Sequence, residues 1–140
     1  MKKGLDERIG ERYKVKGEKI ESYEDLEVYQ RLCQLHLEID EETLKFPKFE
    51  LHELGSQLRR SSNSAPANVA EGWNNRHINI YLEGINRAMG EVQETLHHLS
   101  MAFRKKYLHQ EKYEGYRNRY LEAAKMLRGL ERSLIASKEK

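Results

Sequence analysis

Apolar residues recur along this chain at helical spacing rather than in the alternation of a strand. Leu26, Tyr29, Cys33, Leu37 and Leu44 fall on one stripe, and Val28, Leu32, Leu35 and Ile39 fall on the adjoining one. Ser22 stands just ahead as an N-cap, with Glu24 and Asp25 in the first turn, where the helix dipole favours acids. The pattern predicts a first helix from Tyr23 to Leu44, ended by Phe46-Pro47. Leu51, Leu54, Leu58, Ala65 and Val69 predict a second helix from Phe49 to Glu71, with Gly72 as its natural C-terminal residue. Pro66 removes a backbone donor and clashes with the carbonyl four residues earlier, so a kink or a break is expected there. The run Ser61-Ser62-Asn63-Ser64-Ala65 is small enough to admit a neighbouring helix at close range. Trp73-Asn74-Asn75-Arg76 reads as a loop. Ile78, Tyr81, Ile85, Ala88, Met89, Val92, Leu96, Leu99 and Phe103 mark a third helix from Ile78 to Lys105, ~40 Å long. Tyr116, Tyr120, Ala123, Leu127, Leu130 and Leu134 mark a fourth, from Gln110 to Ala136. Short connections between long helices favour an all-α, antiparallel up-down-up-down four-helix bundle.

Composition narrows the class. A chain of 140 residues, 38% apolar and 34% charged with two prolines, fits one water-soluble domain with a real core better than a disordered chain. No run approaches the ~20 apolar residues of a membrane span. The N-terminus, charged from Lys2 onward, lacks the apolar run of a signal peptide, so the expected address is cytoplasmic. The single Cys33 agrees with a reducing compartment, having no partner for an internal disulfide. Residues 1–21, with Gly4, Gly10 and Gly17, read as a flexible, mildly basic arm, residues 22–136 as the bundle, and residues 137–140 as a frayed end.

The net charge of +2 conceals a polarised chain. Residues 1–21 hold seven bases and five acids, which is the whole excess; residues 22–46 carry seven acids against Arg31 and Lys45; residues 104–132 carry nine bases against four acids.

Catalytic patterns are missing from the sequence. A carboxylate-bridged di-iron bundle needs two Glu-x-x-His motifs, and Glu94-Thr95-Leu96-His97 stands without a second. His97 and His98 cannot share a face, since helical neighbours diverge by ~100°. Cys33 reads as a small core residue, and His36 with Asp40, at i and i+4, as a hydrogen-bonded pair. The scattered glycines make neither a dinucleotide nor a phosphate loop. A non-enzymatic protein without cofactor or metal is the expectation.

The segment Leu54-Gly55-Ser56-Gln57-Leu58-Arg59-Arg60-Ser61-Ser62-Asn63-Ser64-Ala65-Pro66-Ala67-Asn68-Val69-Ala70-Glu71-Gly72 resembles the hallmark of the four-helix bundle family encoded in intervening sequences of 23S ribosomal RNA. Tyr23-Glu24-Asp25-Leu26-Glu27-Val28-Tyr29-Gln30, Phe46-Pro47, Tyr81-Leu82 and Gly90-Glu91-Val92-Gln93-Glu94 extend the resemblance over residues 22–130. It departs from the commonest pattern at Ser61 and Ser62, where alanines are frequent, at Ala65, where isoleucine is usual, and at Trp73-Asn74-Asn75 after the glycine. The resemblance implies an antiparallel bundle that assembles as a homopentameric ring. A related bundle, the accessory variability determinant of diversity-generating retroelements, partners a reverse transcriptase and its RNA template, so a similar accessory role in bacteria is implied here.

Nucleic-acid binding requires clustered cations. On the fourth helix Arg117, Lys125, Arg128 and Arg132 fall within an arc of about 80°, shared by Leu121 and Ile135. Arg59, Arg60, Arg76, Arg104, Lys105 and Lys106 are further candidates. Three readings of the stripe stand open: a solvated face, a surface that meets the acidic first helix of a neighbouring subunit, or a contact for the phosphates of RNA or DNA. Pro66, Asn68, Glu71 and Gly72 form a structural motif in which Asn68 and Glu71 either satisfy backbone groups freed by the proline or cap the bundle end. Trp73 either packs on the core edge or anchors a partner.

Overall fold

The computed structural model describes residues 20–138. Four helices carry the fold: α1 (Glu27–Thr43), α2 (Leu54–Gly72), α3 (Ile78–Arg104) and α4 (Gln110–Lys138). No strand forms among the described residues.

Contacts between helices fix their directions. His36 of α1 meets Ser62 of α2 at 2.8 Å, while Thr43, further along α1, meets Arg59, earlier in α2, at 3.0 Å. Ser61 and Thr95 pair at 2.8 Å, and Gly72 lies against Gly84, so α3 runs against α2. Phe103 stacks on Tyr113 with centroids 4.8 Å apart, and Lys138 reaches Asn79 at the other end of the α3–α4 pair. Glu38 of α1 holds Arg119 of α4. Each helix is therefore antiparallel to the next, and α4 closes the bundle against α1.

The core is what helical periodicity dictates. Val28, Leu32, Leu35 and Ile39 of α1, Leu58, Ala65 and Val69 of α2, Tyr81, Ile85, Ala88, Val92 and Leu99 of α3, and Tyr116, Tyr120, Ala123, Leu127, Leu130 and Leu134 of α4 are buried together. Burying each large side chain is worth roughly 1.5–3 kcal/mol. On α1 the second of the two expected stripes takes this core. Leu26 is buried with it, but Leu37 is 59% exposed and Leu44 71% exposed, while Tyr29 and Cys33 are half-buried.

The first helix is shorter than its periodicity predicts. Ser22 does cap, but it caps a 3-10 turn at Tyr23–Asp25: its hydroxyl accepts from Glu24 N, and Asp25 accepts from the backbone of Glu21 and Ser22. Leu26 then adopts extended backbone before α1 starts. The second helix also starts later than expected. Lys48–His52 is a separate 3-10 turn that swings Glu50 inward and leaves Phe49 at the surface. Of the kink or break expected at Pro66, the break does not occur: α2 runs through it. Tertiary contacts on both sides hold the helix, Ser61 on Thr95 before the proline and Gly72 on Gly84 after it. Ser137 and Lys138, expected to fray, are helical. The arm expected over residues 1–21 lies, apart from Ile20 and Glu21, outside the described residues, as do Glu139 and Lys140. No helix among the described residues is long and apolar enough to cross a membrane.

Candidate nucleic-acid interface

The candidate cations divide into two groups by what they touch. Arg59 points along the inside of the α1–α2 junction, where Nη1 donates to Thr43 Oγ1 at 3.0 Å and Nη2 to the Leu51 carbonyl at 2.6 Å. Arg60 bridges to α3, its guanidinium held by Glu94 and, at 3.3 Å, by Glu91. Burial disfavours the charge of Glu94, and Arg60 with His98 outweighs it, leaving that carboxyl below its ordinary range. Lys105 holds Glu50, which is 1% exposed. Glu50 accepts from Lys105 Nζ at 2.9 Å, Tyr107 Oη at 2.8 Å and Leu54 N at 3.3 Å, so its carboxyl is lowered, chiefly by Lys105, despite burial. One buried carboxylate thus ties the α1–α2 connection to the α3–α4 connection. Arg59, Arg60 and Lys105, candidates for phosphate contact by sequence, have partners within the fold, although Arg60 and Lys105 stay exposed.

The others, Arg76, Arg104, Lys106, Arg117, Lys125, Arg128 and Arg132, are exposed, and none makes an ion pair among the described residues. Among them Arg132 donates Nε to the Arg128 carbonyl at 3.5 Å. Arg76 sits in the α2–α3 loop, and Arg104 and Lys106 at the opposite end of the bundle. Lys106 has φ 69°, the left-handed conformation of a residue just past a helix end, and Tyr107 N donates back to the Ala102 carbonyl at 2.8 Å. Arg117, Lys125, Arg128 and Arg132 line one outward arc of α4 over about 22 Å of helix. Ile135, on the same arc, is 40% exposed.

The acids of α1 do not meet this stripe within the chain. Glu38 takes both nitrogens of Arg119, at 2.8 and 2.6 Å, and is lowered by it. The buried Glu42 takes Lys112 at 3.1 Å and the hydroxyl of Tyr116 at 3.2 Å. Periodicity missed Lys112 and Arg119 because they belong to the α1-facing side of α4; their spacing from Tyr116 was the available signal. Asp40 and Glu41 remain exposed beside Leu37 and Leu44, without ion pairs among the described residues.

The hallmark segment proves to be a helix crossing. A Cβ on Gly84 would stand 2.8 Å from the Asn68 carbonyl oxygen and 3.1 Å from Gly72 Cα; one on Gly72 would stand 3.2 Å from Gly84 Cα. No side chain fits between the two backbones. Asn68 Nδ2 donates to the Ser64 carbonyl at 2.9 Å, one turn back, while Glu71 is exposed at the mouth of a small cleft with Gly84 and Arg87. The carbonyl that Asn68 serves is Ser64's, not the one freed by Pro66, which is Ser62's. Trp73 packs half-buried on the core edge. His36 turns from Asp40 to Ser62, and burial lowers its pKa. Among the described residues, no three His, Cys, Asp or Glu side chains gather as metal ligands.

The family model of the 23S rRNA-intervening sequence protein matches residues 24–129, the whole bundle but its ends. The chain belongs to that family. Among solved structures it is similar to a protein of unknown function from the S23 ribosomal protein family of Bacteroides thetaiotaomicron, at 25% identity and a TM-score of 0.65, over 74% of this chain and 97% of that one. Comparison with curated proteins finds no match. The match spans α1 to α3 and most of α4, and the α2–α3 crossing accounts for why the segment ending at Gly72 is small and glycine-ended.

Proposed function

We propose that this family member is a non-enzymatic scaffold that binds the phosphates of RNA or DNA through the outer face of α4, acts as a ring of identical subunits, and serves a protein partner, a retroelement reverse transcriptase being the partner the family resemblance favours. The observation that carries the binding reading is the division of the cations. Seven of the ten candidates are exposed and without ion pairs among the described residues, and four of them share one arc. Cations that the fold does not use are the ones able to displace counterions from a nucleic acid. Repetition around a ring would multiply a modest stripe, which offsets the small net charge of one chain. The exposed Leu37 of α1 and Leu44 just past its end supply an uncovered apolar ridge for assembly. Cytoplasmic location follows from the same reading.

The test is salt-dependent binding of the purified protein to structured RNA, compared with the variant Lys125→Glu, Arg128→Glu, Arg132→Glu. Loss of binding in the variant, with its circular dichroism unchanged, supports the reading; no retention by the wild type at low salt overturns it. A second reading, assembly without nucleic acid, is favoured by the free Asp40 and Glu41 beside Leu37 and Leu44. These residues match the cations and Ile135 of α4 on a neighbouring subunit. In that case the charge-reversed variant loses its oligomeric state instead, and a compensating Asp40→Lys, Glu41→Lys restores it.

A further inference from the structure

Beside the cations of α4 runs a second line of side chains, on α3. Asn79 faces α4, because its Oδ1 accepts from Lys138 Nζ at 2.6 Å. Steps of seven residues return to nearly the same side of a helix, drifting only ~20° each. Asn86 and Gln93 therefore lie on the side Asn79 defines, followed by His97 and Arg104. All five are exposed, and this strip of α3 carries no carboxylate. Asn86 and Gln93 make no hydrogen bond among the described residues. On α4 one acid, Glu114, falls within the cationic arc, and Gln110 holds its carboxylate at 3.0 Å. Two adjacent antiparallel helices, their axes about 8–10 Å apart, thus present a line of amides alongside a line of guanidinium and ammonium groups.

The same face is poor in the large rings on which a single strand is held. Unpaired bases are held by stacking on aromatic rings. Of the described Phe, Tyr and Trp residues only Phe49 is exposed, and it lies on the α1–α2 connection; on this face the exposed ring is the His97 imidazole, set edge-on against His98. Phe103 and Tyr113, the aromatic pair between α3 and α4, are half-buried and stack on each other, each covering one face of its partner. A double helix keeps its bases inside and presents phosphates and sugars, which cations and amides contact without stacking.

We infer that the ligand of this face is a double-helical nucleic acid held by its backbone, and that Asn86 and Gln93 form a second line of contacts beside the α4 cations. This rests on the phosphate-binding reading of α4. An amide both donates and accepts, so it suits phosphate oxygens and the 2′-hydroxyls of RNA alike.

Fluorescence anisotropy tests it on the full chain with three labelled probes of one sequence: an RNA duplex of about 20 base pairs, the matching DNA duplex, and one RNA strand alone. The duplexes should bind at least about tenfold more tightly than the strand, and Asn86→Asp with Gln93→Glu should weaken duplex binding by about tenfold at low salt without moving the thermal midpoint. Equal affinity for both duplexes assigns the contacts to phosphate, and preference for RNA assigns the amides to 2′-hydroxyls; either outcome supports the inference. Binding of the single strand as tight as the duplexes overturns it while leaving the α4 reading intact, and an unchanged affinity in the double variant removes the second line. Failure of all three probes to bind overturns the α4 reading itself.

Discussion

Gly84 and Gly90 lie on the same helix, and alanine should affect them in opposite directions. At Gly84 the new methyl would sit 2.8 Å from the Asn68 carbonyl and 3.1 Å from Gly72 Cα. Both neighbours are backbone, so neither can swing aside, and α2 must move away from α3. Overpacking of this kind costs about 1–3 kcal/mol, against the roughly 1 kcal/mol that alanine returns over glycine in a helix. At Gly90 nothing stands within 4 Å of the added carbon, so only the gain of roughly 1 kcal/mol applies. Subtracting one variant from the other cancels helix propensity and leaves the contact, about 1–3 kcal/mol. Urea unfolding followed by far-ultraviolet circular dichroism, at one protein concentration, measures both midpoints. Gly90→Ala should raise the midpoint and Gly84→Ala should lower it with an unchanged slope. If both rise together, α2 and α3 do not meet at these glycines and the hallmark segment has another purpose.

Glu50→Gln should destabilise the protein by about 1.5–3 kcal/mol at neutral pH, because it removes charge-assisted hydrogen bonds from a buried group. Glu50 is held below its ordinary value of 4.5, so its contribution is complete above that pH and falls as the pH drops toward the folded-state value; the gap between wild type and variant in urea titrations should close in acid. His36, lowered from 6.5 by burial, likewise adds stability above pH 6.5 that is lost on acidification, and His36→Gln should remove that component from the profile. Thr95→Val should cost about 1–3 kcal/mol by orphaning the buried Ser61 hydroxyl, whereas Ser61→Ala together with Thr95→Val should come close to wild type; thermal melts of the three variants decide. Arg60→Ala should change stability by less than about 1 kcal/mol, since its partners lie near the surface.

Helical periodicity carries far in this chain because each helix buries one face, so spacing alone locates Leu32, Ile85 or Leu127 in the core. It falters where two apolar stripes adjoin, as on α1: which one faces inward is decided by the neighbours, and Leu37 lost to Leu35. It falters again where backbone geometry is settled by a distant group. The turn at Lys48–His52 exists because Glu50 is drawn to Lys105 and Tyr107, more than fifty residues away, and no local propensity encodes that pull. Pro66 is the converse case, a strong local stop signal that does not end the helix because packing holds it on either side. The candidate site was legible on α4, where the stripe is a property of one helix. It was not legible at Arg59, Arg60 and Lys105, because a cation's availability depends on acids and carbonyls brought to it by the fold. Ser61 shows the same dependence: a buried hydroxyl among small residues becomes intelligible once Thr95 stands opposite.

The division between structural and free cations is the centre of the account, and one comparison tests it directly. The slope of log affinity against log salt counts the phosphates neutralised, at about −0.9 per contact on duplex DNA. The wild type should show a clear slope, Lys125→Glu with Arg128→Glu and Arg132→Glu should flatten or abolish it, and Arg60→Ala should leave it unchanged. A slope that survives the α4 substitutions but is lost with Arg60 would contradict the account.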